Sequence, residues 1–324
     1  MATTFKSFSN NDVISTKTLL HEAIPLTGSI VSGTYADLNI KNFAHGQFQS
    51  VYDYPYLSSS ANHVFDITTG YSAQSALSGA SNTVAQRKKI NIYNQMAQVL
   101  MGFDHTGSVQ LFDEDGDLLA GGTKIDSAYF LNFSRLLVKD EIKKGSFNML
   151  VGISGSNQDP STQAANPFGV VASIKDTGAS TSYKINSPTG EYGILYMSGT
   201  TVGSTSDAGT NTETHLSLDK QEAGKGIPCG LVFYQAGVAV LTSSVFVKEE
   251  TNGFLKGITS VPDDIFGGGR GLLNHLTHST IDTAATYLRA RIQNISFNNT
   301  VELNSTIYFC RANHNEFNYS SNPT

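Results

Sequence analysis

Apolar residues along this chain fall into short runs, separated by stretches rich in Gly, Ser, Thr and Asn. One interval has helical spacing. In 87–102 (RKKINIYNQMAQVLMG), Ile92, Met96, Val99 and then Phe103 recur at three- and four-residue steps. That spacing predicts an α-helix packed on this face. Gly102 stands where a helix stop belongs, and the preceding SGASN supplies N-cap candidates. Met96 and Met101 read as core or groove fillers.

Elsewhere the pattern is that of strands. Residues 108–131 read as a β-hairpin, SVQLF and LLAGG around DEDGD, with a further strand near AYFLNF. Leu136–Ile142 read as a short helical turn, Lys144-Gly145 as a turn and Ser146–Ile153 as a strand. Short strands are expected in PFGVVASIK, TSYKI and YGILYM. A second hairpin, LVFY and VAVLTSSVF in 226–247, is apolar with little alternation, so burial on both faces is expected. The stretch 263–293 predicts a loop and then helical segments, and QNISFN and VELNSTIYFCRAN predict two closing strands. The first 30 residues look extended. They fit either an arm laid across a neighbouring subunit or an edge strand with loops on its own domain.

No period of 20–50 residues repeats, which argues against propellers and solenoids. The expected fold is α+β and β-rich, with several antiparallel hairpins or β-sandwich-like sheets and two or three helices. The organisation expected is an extended arm and aromatic-rich segment over 1–60, and a β-rich domain over 61–197. A Gly/Ser/Thr loop or linker over 198–225 leads to a hairpin, helix and final strands over 226–324, which can pack with 61–197 as one domain.

Composition narrows the function. Of 324 residues 39% are hydrophobic, enough for a core, but only 15% are charged against roughly 25% in an average soluble protein. A net charge of −6 argues against a dedicated nucleic-acid binder, which needs a surplus of Lys and Arg. The first residues show no basic cluster followed by an apolar run, and no uninterrupted apolar stretch is long enough to span a bilayer, so neither leader nor membrane insertion is expected. Cys229 and Cys310, both in apolar segments, read as buried free thiols of a chain folded in a cytosol, where sequons such as Asn304-Ser305-Thr306 carry no meaning. Few charges among much Ser, Thr, Asn and Gly suit a protein held inside an assembly, where neutral polar groups hydrogen-bond without the desolvation cost of an ion. An extracellular adhesin-like β-protein shares that composition.

Several constellations suggest chemistry and stop short of it. Asp113-Glu114-Asp115-Gly116-Asp117 resembles the start of a calcium loop, but position twelve is Lys124 where a Glu is needed, so a solvated turn is expected. His275 and His278 share a helix face, but no third metal ligand is evident beyond Asp263 and Asp264, across a Gly-rich loop. Phe266–Gly271 (FGGGRG) lacks phosphate-loop spacing; a hinge or close-contact loop is expected, with Arg270 as an interface anchor. His314-Asn315-Glu316 and Gly152–Ser156 lack a nucleophile elbow. Tyr52, Tyr54 and Tyr56 alternate, as one face of a strand would, and fit half-buried packing or a recognition surface. No catalytic, cofactor-binding or metal-ligating residue is assigned, and no cofactor is expected.

Three segments carry a resemblance. INIYNQMAQVLMGFD (90–104), LLVKDEIKKGSFNMLVG (136–152) and above all ELNSTIYFCRANHNEFNYSSNPT (302–324) resemble virion structural proteins of tailed bacteriophages, including large marine and cyanobacterial contractile-tailed phages. The resemblance is densest over 294–324. It implies a structural subunit of tail, baseplate or neck, assembled in the host bacterial cytoplasm and residing in the virion. Its partners would be other virion proteins and copies of itself, with no small-molecule substrate, and no catalytic residues carry over. Proteins of this kind continue past Asn322-Pro323-Thr324, which implies a trimmed end. Exposed apolar and Tyr side chains in 1–60 and 294–324 are then expected to be covered by neighbours. A receptor-binding module with 46–58 and 198–214 at its tip, and a virion-associated polysaccharide or cell-wall hydrolase, are the alternative readings.

Overall fold

The computed structural model describes residues 7–27, 38–79, 83–116, 124–152, 171–198, 222, 224–246, 276 and 280–310. In chain order the elements are β1 (Val13–Thr27), β2 (Ile40–Asn42), β3 (Gln49–Tyr52), β4 (His63–Tyr71), α1 (Val84–Leu100), β5 (Ser127–Phe133), α2 (Arg135–Val138), β6 (Glu141–Ile142) and β7 (Asn148–Gly152). Then come β8 (Val171–Lys175), β9 (Lys184–Ser187), β10 (Gly190–Ser198), β11 (Ile227–Phe233), β12 (Val238–Thr242), α3 (Ile281–Arg291) and β13 (Ile292–Tyr308).

The chain is α+β and β-rich. Its strands join one antiparallel sheet in the order β1-β13-β7-β8-β10-β11-β12-β5-β4-β3-β2, with β6 beside β13 and β9 beside β10. Among the described residues the antiparallel hairpins join in a single sheet of thirteen strands. It rolls over so that its inner face packs on itself: Phe133 of β5 lies 5.2 Å from Phe297 of β13, ring centre to ring centre, although five strands separate them in the sheet. Strands β11 and β12 lie between β10 and β5, so segments 61–197 and 226–324 interleave in one sheet.

The roll gives the sheet two apolar faces. Alternate residues of each strand face inward, among them Leu131 and Phe133 of β5, Met149 and Val151 of β7, and Ile295 and Phe297 of β13. Ala284, Ala285 and Leu288 of α3 join this inner cluster. The intervening residues face outward, including Phe130, Phe233 and Val240, and α1 covers them with Tyr93, Ala97 and Leu100. Strands apolar on both faces follow from having two cores, and β11 and β12 are buried at every position, as their continuous apolar runs predicted.

Helix α1 begins at Thr83, whose side chain accepts from the Gln86 N–H while the Gln86 side chain accepts from the Thr83 N–H. It ends at the expected stop: Gly102 has φ +81°, a conformation that suits glycine. Its buried face differs from the expected one. Ile92 is buried as expected, but Val99 is exposed, as is Phe103 just past the helix end, and Lys89, Tyr93, Ala97 and Leu100 complete the buried face. The helix is set by Gly70 of β4, where a Cβ would lie 2.5 Å from the Lys89 carbonyl oxygen. The Lys89 ammonium donates to the Leu276 carbonyl, so a residue that counts as polar in periodicity is part of the packed face.

Other expectations shift locally. Residues 108–112 form no regular strand, though Asp113 and Lys124 are bridged across the expected turn; the expected second arm, 118–122, lies outside the described residues. The two expected closing strands are one strand, β13, of 17 residues. Strand β3 ends at Tyr52, so Tyr54 and Tyr56 lie in the following turn and do not share a strand face with it.

Asp176, just after β8, ties three connections together. Its carboxylate accepts from the N–H groups of Gly145 (2.7 Å) and Phe147 (3.0 Å) and from the Tyr234 hydroxyl (3.1 Å). Gly193 leaves the room Tyr234 needs, since a Cβ there would lie 2.0 Å from its hydroxyl oxygen. Burial pushes the Asp176 carboxyl up to about 6, against the opposing pull of the three donors. The folded chain therefore holds this proton more tightly than the unfolded chain, where the value is 3.8. The sign follows: the contribution is fully present below the unfolded value and is lost as pH rises through the folded one. Asp176→Asn removes the titration. The stability of the natural protein relative to this variant is expected to rise by roughly 2 kcal/mol between pH 7 and pH 4. Urea unfolding of both proteins across that range checks it; a constant difference contradicts it.

Candidate functional site

The structural feature that stands apart from the rolled body is the far half of β1 and β13. These strands pair antiparallel over the whole of β1, Val13 opposite Tyr308 through Thr27 opposite Asn294. Near the body β13 is flanked on its other side by β7 and β6, and the Glu302 N–H still donates to Asp140. Beyond that point Val13–Leu20 and Val301–Tyr308 form a two-stranded ribbon, eight residues on each strand. At about 3.3 Å per residue it reaches about 26 Å. Both of its faces are open, since every residue from Ile14 to Leu20 and from Glu302 to Tyr308 is exposed.

Directly opposed residues share a face, so the register sorts the side chains. One face carries Ile14, Thr16, Thr18 and Leu20 with Ile307, Ser305, Leu303 and Val301, and has no charge along its length. Ile14, Leu20, Leu303 and Ile307 are 45, 51, 48 and 49% exposed. This is the same face that carries Ile24 and Phe297 into the core, with the polar pair Glu22 and Asn299 between them and the ribbon, whose face no described residue covers. At its base Glu22 pairs with Lys139 at 2.5 Å. Lys139 has φ +58°, a backbone conformation that costs a residue with a Cβ.

The opposite face is mixed, with Val13, Leu19 and Tyr308 among polar and charged side chains. Ser15 and Thr306 hydroxyls lie 3.3 Å apart, His21 meets Thr300 at 3.1 Å, and Lys17 pairs with Glu302 at 2.5 Å. The Lys17 partner holds the Glu302 carboxyl below its ordinary value. Between this face and the body lies a cleft of about 540 Å³ lined by Lys17, Leu19 and Glu302 from the ribbon and Arg135, Lys144 and Glu191 from the body. Each cation there already has a partner: Lys144 binds Glu191, and Arg135 donates to the Gln235 carbonyl at 2.6 Å. At the tip, Phe8 packs on Tyr308 with ring centres 5.7 Å apart.

Against this surface the sequence-derived constellations separate. Lys124, at position twelve of the calcium-like run, binds Asp113 with its own ammonium, so the chain supplies the cation there. Among the described residues no group of three His, Cys, Asp or Glu is placed to hold a metal. One Ser, His and Asp do meet, which sequence spacing did not suggest: the Ser50 hydroxyl donates to Asp66 at 2.5 Å and His63 Nε2 bonds the same oxygen at 2.8 Å. The carboxylate stands between the hydroxyl and the imidazole, whereas activation of a serine needs the imidazole against the hydroxyl. Cys229 is buried and its thiol is pushed well up by burial, but Cys310 is exposed, contrary to expectation, because it follows β13 at the ribbon tip. His275, His278, Asp263, Asp264, the FGGGRG loop with Arg270, His314-Asn315-Glu316, the 199–214 stretch, and Ile153–Ser156 lie outside the described residues.

No known protein family, curated protein or solved structure matches the chain. No helix among the described residues is long and apolar enough to cross a membrane.

At the opposite end of the sheet a smaller apolar cluster is exposed. Leu38, Tyr54, Tyr56 and Leu57 stand open around β2 and β3, Leu57 at 86%, and the Tyr56 N–H donates to the Leu38 carbonyl at 3.0 Å.

Proposed function

We propose that the chain is a structural subunit of a tailed-phage virion, in its tail, baseplate or neck region, working through subunit–subunit interfaces in a symmetric assembly. The observation that carries this reading is the β1–β13 ribbon, which projects with an uncharged apolar face and no covering layer among the described residues. A two-stranded ribbon is marginal in water by itself, and β structure of this size gains independent stability only with further strands or packing on an apolar face. A neighbour that covers the ribbon would provide both. The low charge of the chain suits repeated protein contacts, and the segments that resemble phage virion proteins include the ribbon's second strand.

Particles purified on a density gradient test the proposal with an antibody to the purified chain. The expected result is multiple copies banding with the particles and resisting a high-salt wash. Absence from the particles overturns it, as does a purified monomer that hydrolyses a cell-wall or capsule polymer.

The exposed Leu38, Tyr54, Tyr56 and Leu57 favour one second reading, a receptor-binding module, because tyrosine is enriched at recognition surfaces. Specific glycan-array binding by the soluble chain, lost in Tyr54→Ala/Tyr56→Ala, would support it over the structural role.

A further inference from the structure

The ribbon ends the sheet in a long open edge. Strand β1 stands last in the strand order, and among the described residues all fifteen of its positions pair with β13 on one side only. The other terminal strand, β2, has three residues. Proteins commonly guard sheet edges by keeping them short or by placing lysine and proline along them. Strand β2 is short, whereas β1 carries a single lysine, Lys17, and a single proline, Pro25, over fifteen residues.

We infer that β1 pairs edge to edge and antiparallel with β1 of a second copy of this chain, about a two-fold axis at Leu20. This rests on the structural-subunit reading and names the partner of the ribbon's open edge. The match in length points to a second copy: among the described residues the one open strand edge of fifteen residues is β1 itself. A two-fold axis normal to the sheet reverses the strand and keeps its faces, so the apolar face of one copy continues into the apolar face of the other. Pairing the whole strand sets Val13 opposite Thr27 and Leu20 opposite Leu20. In that register Lys17 meets Ala23 and Thr18 meets Glu22, so no like charges oppose. An axis at Lys17 or at Glu22 would set like charges directly against each other, which is unfavourable.

The result is a four-stranded sheet, β13 and β1 of one copy followed by β1 and β13 of the other. That is above the size at which β structure with an apolar face becomes stable. An edge about 50 Å long and about 10 Å deep buries about 500 Å² per copy, or about 1,000 Å² in all, the lower bound for a specific interface.

Single cysteines in the full chain test this. Cys310, exposed near the tip, is first replaced by serine, while Cys229 is buried and stays. Cysteines are then placed singly at Thr16, Thr18, Leu20 and Ala23, and dimer yield is read after mild oxidation. Opposed residues on an antiparallel pair have Cα atoms about 4.5–5.5 Å apart, within disulfide range. Only Leu20→Cys meets its own counterpart at that distance; the symmetric separation is about 13 Å at Thr18, about 20 Å at Ala23 and about 26 Å at Thr16. The expected yield is at least about tenfold higher at Leu20 than at the other three, since none of those can close without backbone movement. The unoxidised chain is expected by light scattering at twice its 34.7 kDa. A flat profile, a maximum elsewhere or a monomer overturns the inference. Particle association with no dimer defeats the inference alone; a dimer that never joins particles defeats the proposed function alone.

Discussion

Changing Leu20 and Leu303 together to lysine is expected to weaken association of the chain, with itself and with particles, by at least about 100-fold. Burying a leucine side chain contributes about 1.5–3 kcal/mol, and each 1.4 kcal/mol is a factor of ten in an equilibrium constant. The two leucines are 51 and 48% exposed on adjacent strands of the apolar face, so the isolated fold loses little when they change. The thermal midpoint is expected to stay within about 3 °C. Val99→Lys/Phe103→Lys, which alters two exposed apolar residues, one on α1 and one just past its end, is the control for general surface hydrophobicity. It is expected to leave association unchanged. Light scattering and circular dichroism melts read both quantities; full association of the ribbon variant would show that this face is not the contact.

The second large effect concerns the body that carries the ribbon. Gly70→Ala is expected to cost about 3 kcal/mol or more, at the upper end for overpacking. The added Cβ would lie 2.5 Å from the Lys89 carbonyl oxygen and 2.9 Å from the Tyr93 backbone nitrogen. Both are backbone atoms of α1, and the helix cannot slide away freely. Lys89 is anchored to the Leu276 carbonyl, and the Tyr93 hydroxyl donates to the Ile125 carbonyl at 2.6 Å. Total stability of a domain is typically 5–15 kcal/mol, so the variant would be marginal. A loss under about 1 kcal/mol in urea unfolding would mean that α1 is held less firmly than its contacts indicate.

What the sequence disclosed depended on whether the signal was local. The β11–β12 hairpin was legible because a strand buried on both faces must be apolar throughout, and its turn ends in Gly237 with φ +69°. The existence of α1 and its glycine stop were legible for the same reason. Its orientation was not, because Lys89 counts as polar in a periodicity and is nevertheless packed inside with its charge on a carbonyl. The rolling of the sheet left no trace in any single segment: Phe133 and Phe297 are brought together by five intervening strands.

The ribbon shows the same limit most sharply. Alternation in VELNSTIY reads as a strand with one face covered, and the pattern is the same whether the cover is the chain's own or a neighbour's. The register with β1 and the exposure of Leu20, Leu303 and Ile307 show that no described residue of the chain covers this face. Composition pointed toward protein contacts but not to a place on the chain. Ser50, His63 and Asp66 came together on β3 and β4 without any spacing that would single them out, and their hydrogen-bond order sets them apart from a nucleophilic triad.

The most direct measurement is hydrogen exchange over residues 13–20 and 301–308, in the dilute isolated chain and in purified particles. The account predicts amides that exchange quickly in isolation and are slowed at least about tenfold in the particle, while β11 and β12 of the buried body are protected equally in both. Equal, rapid exchange of the ribbon in both states would contradict it.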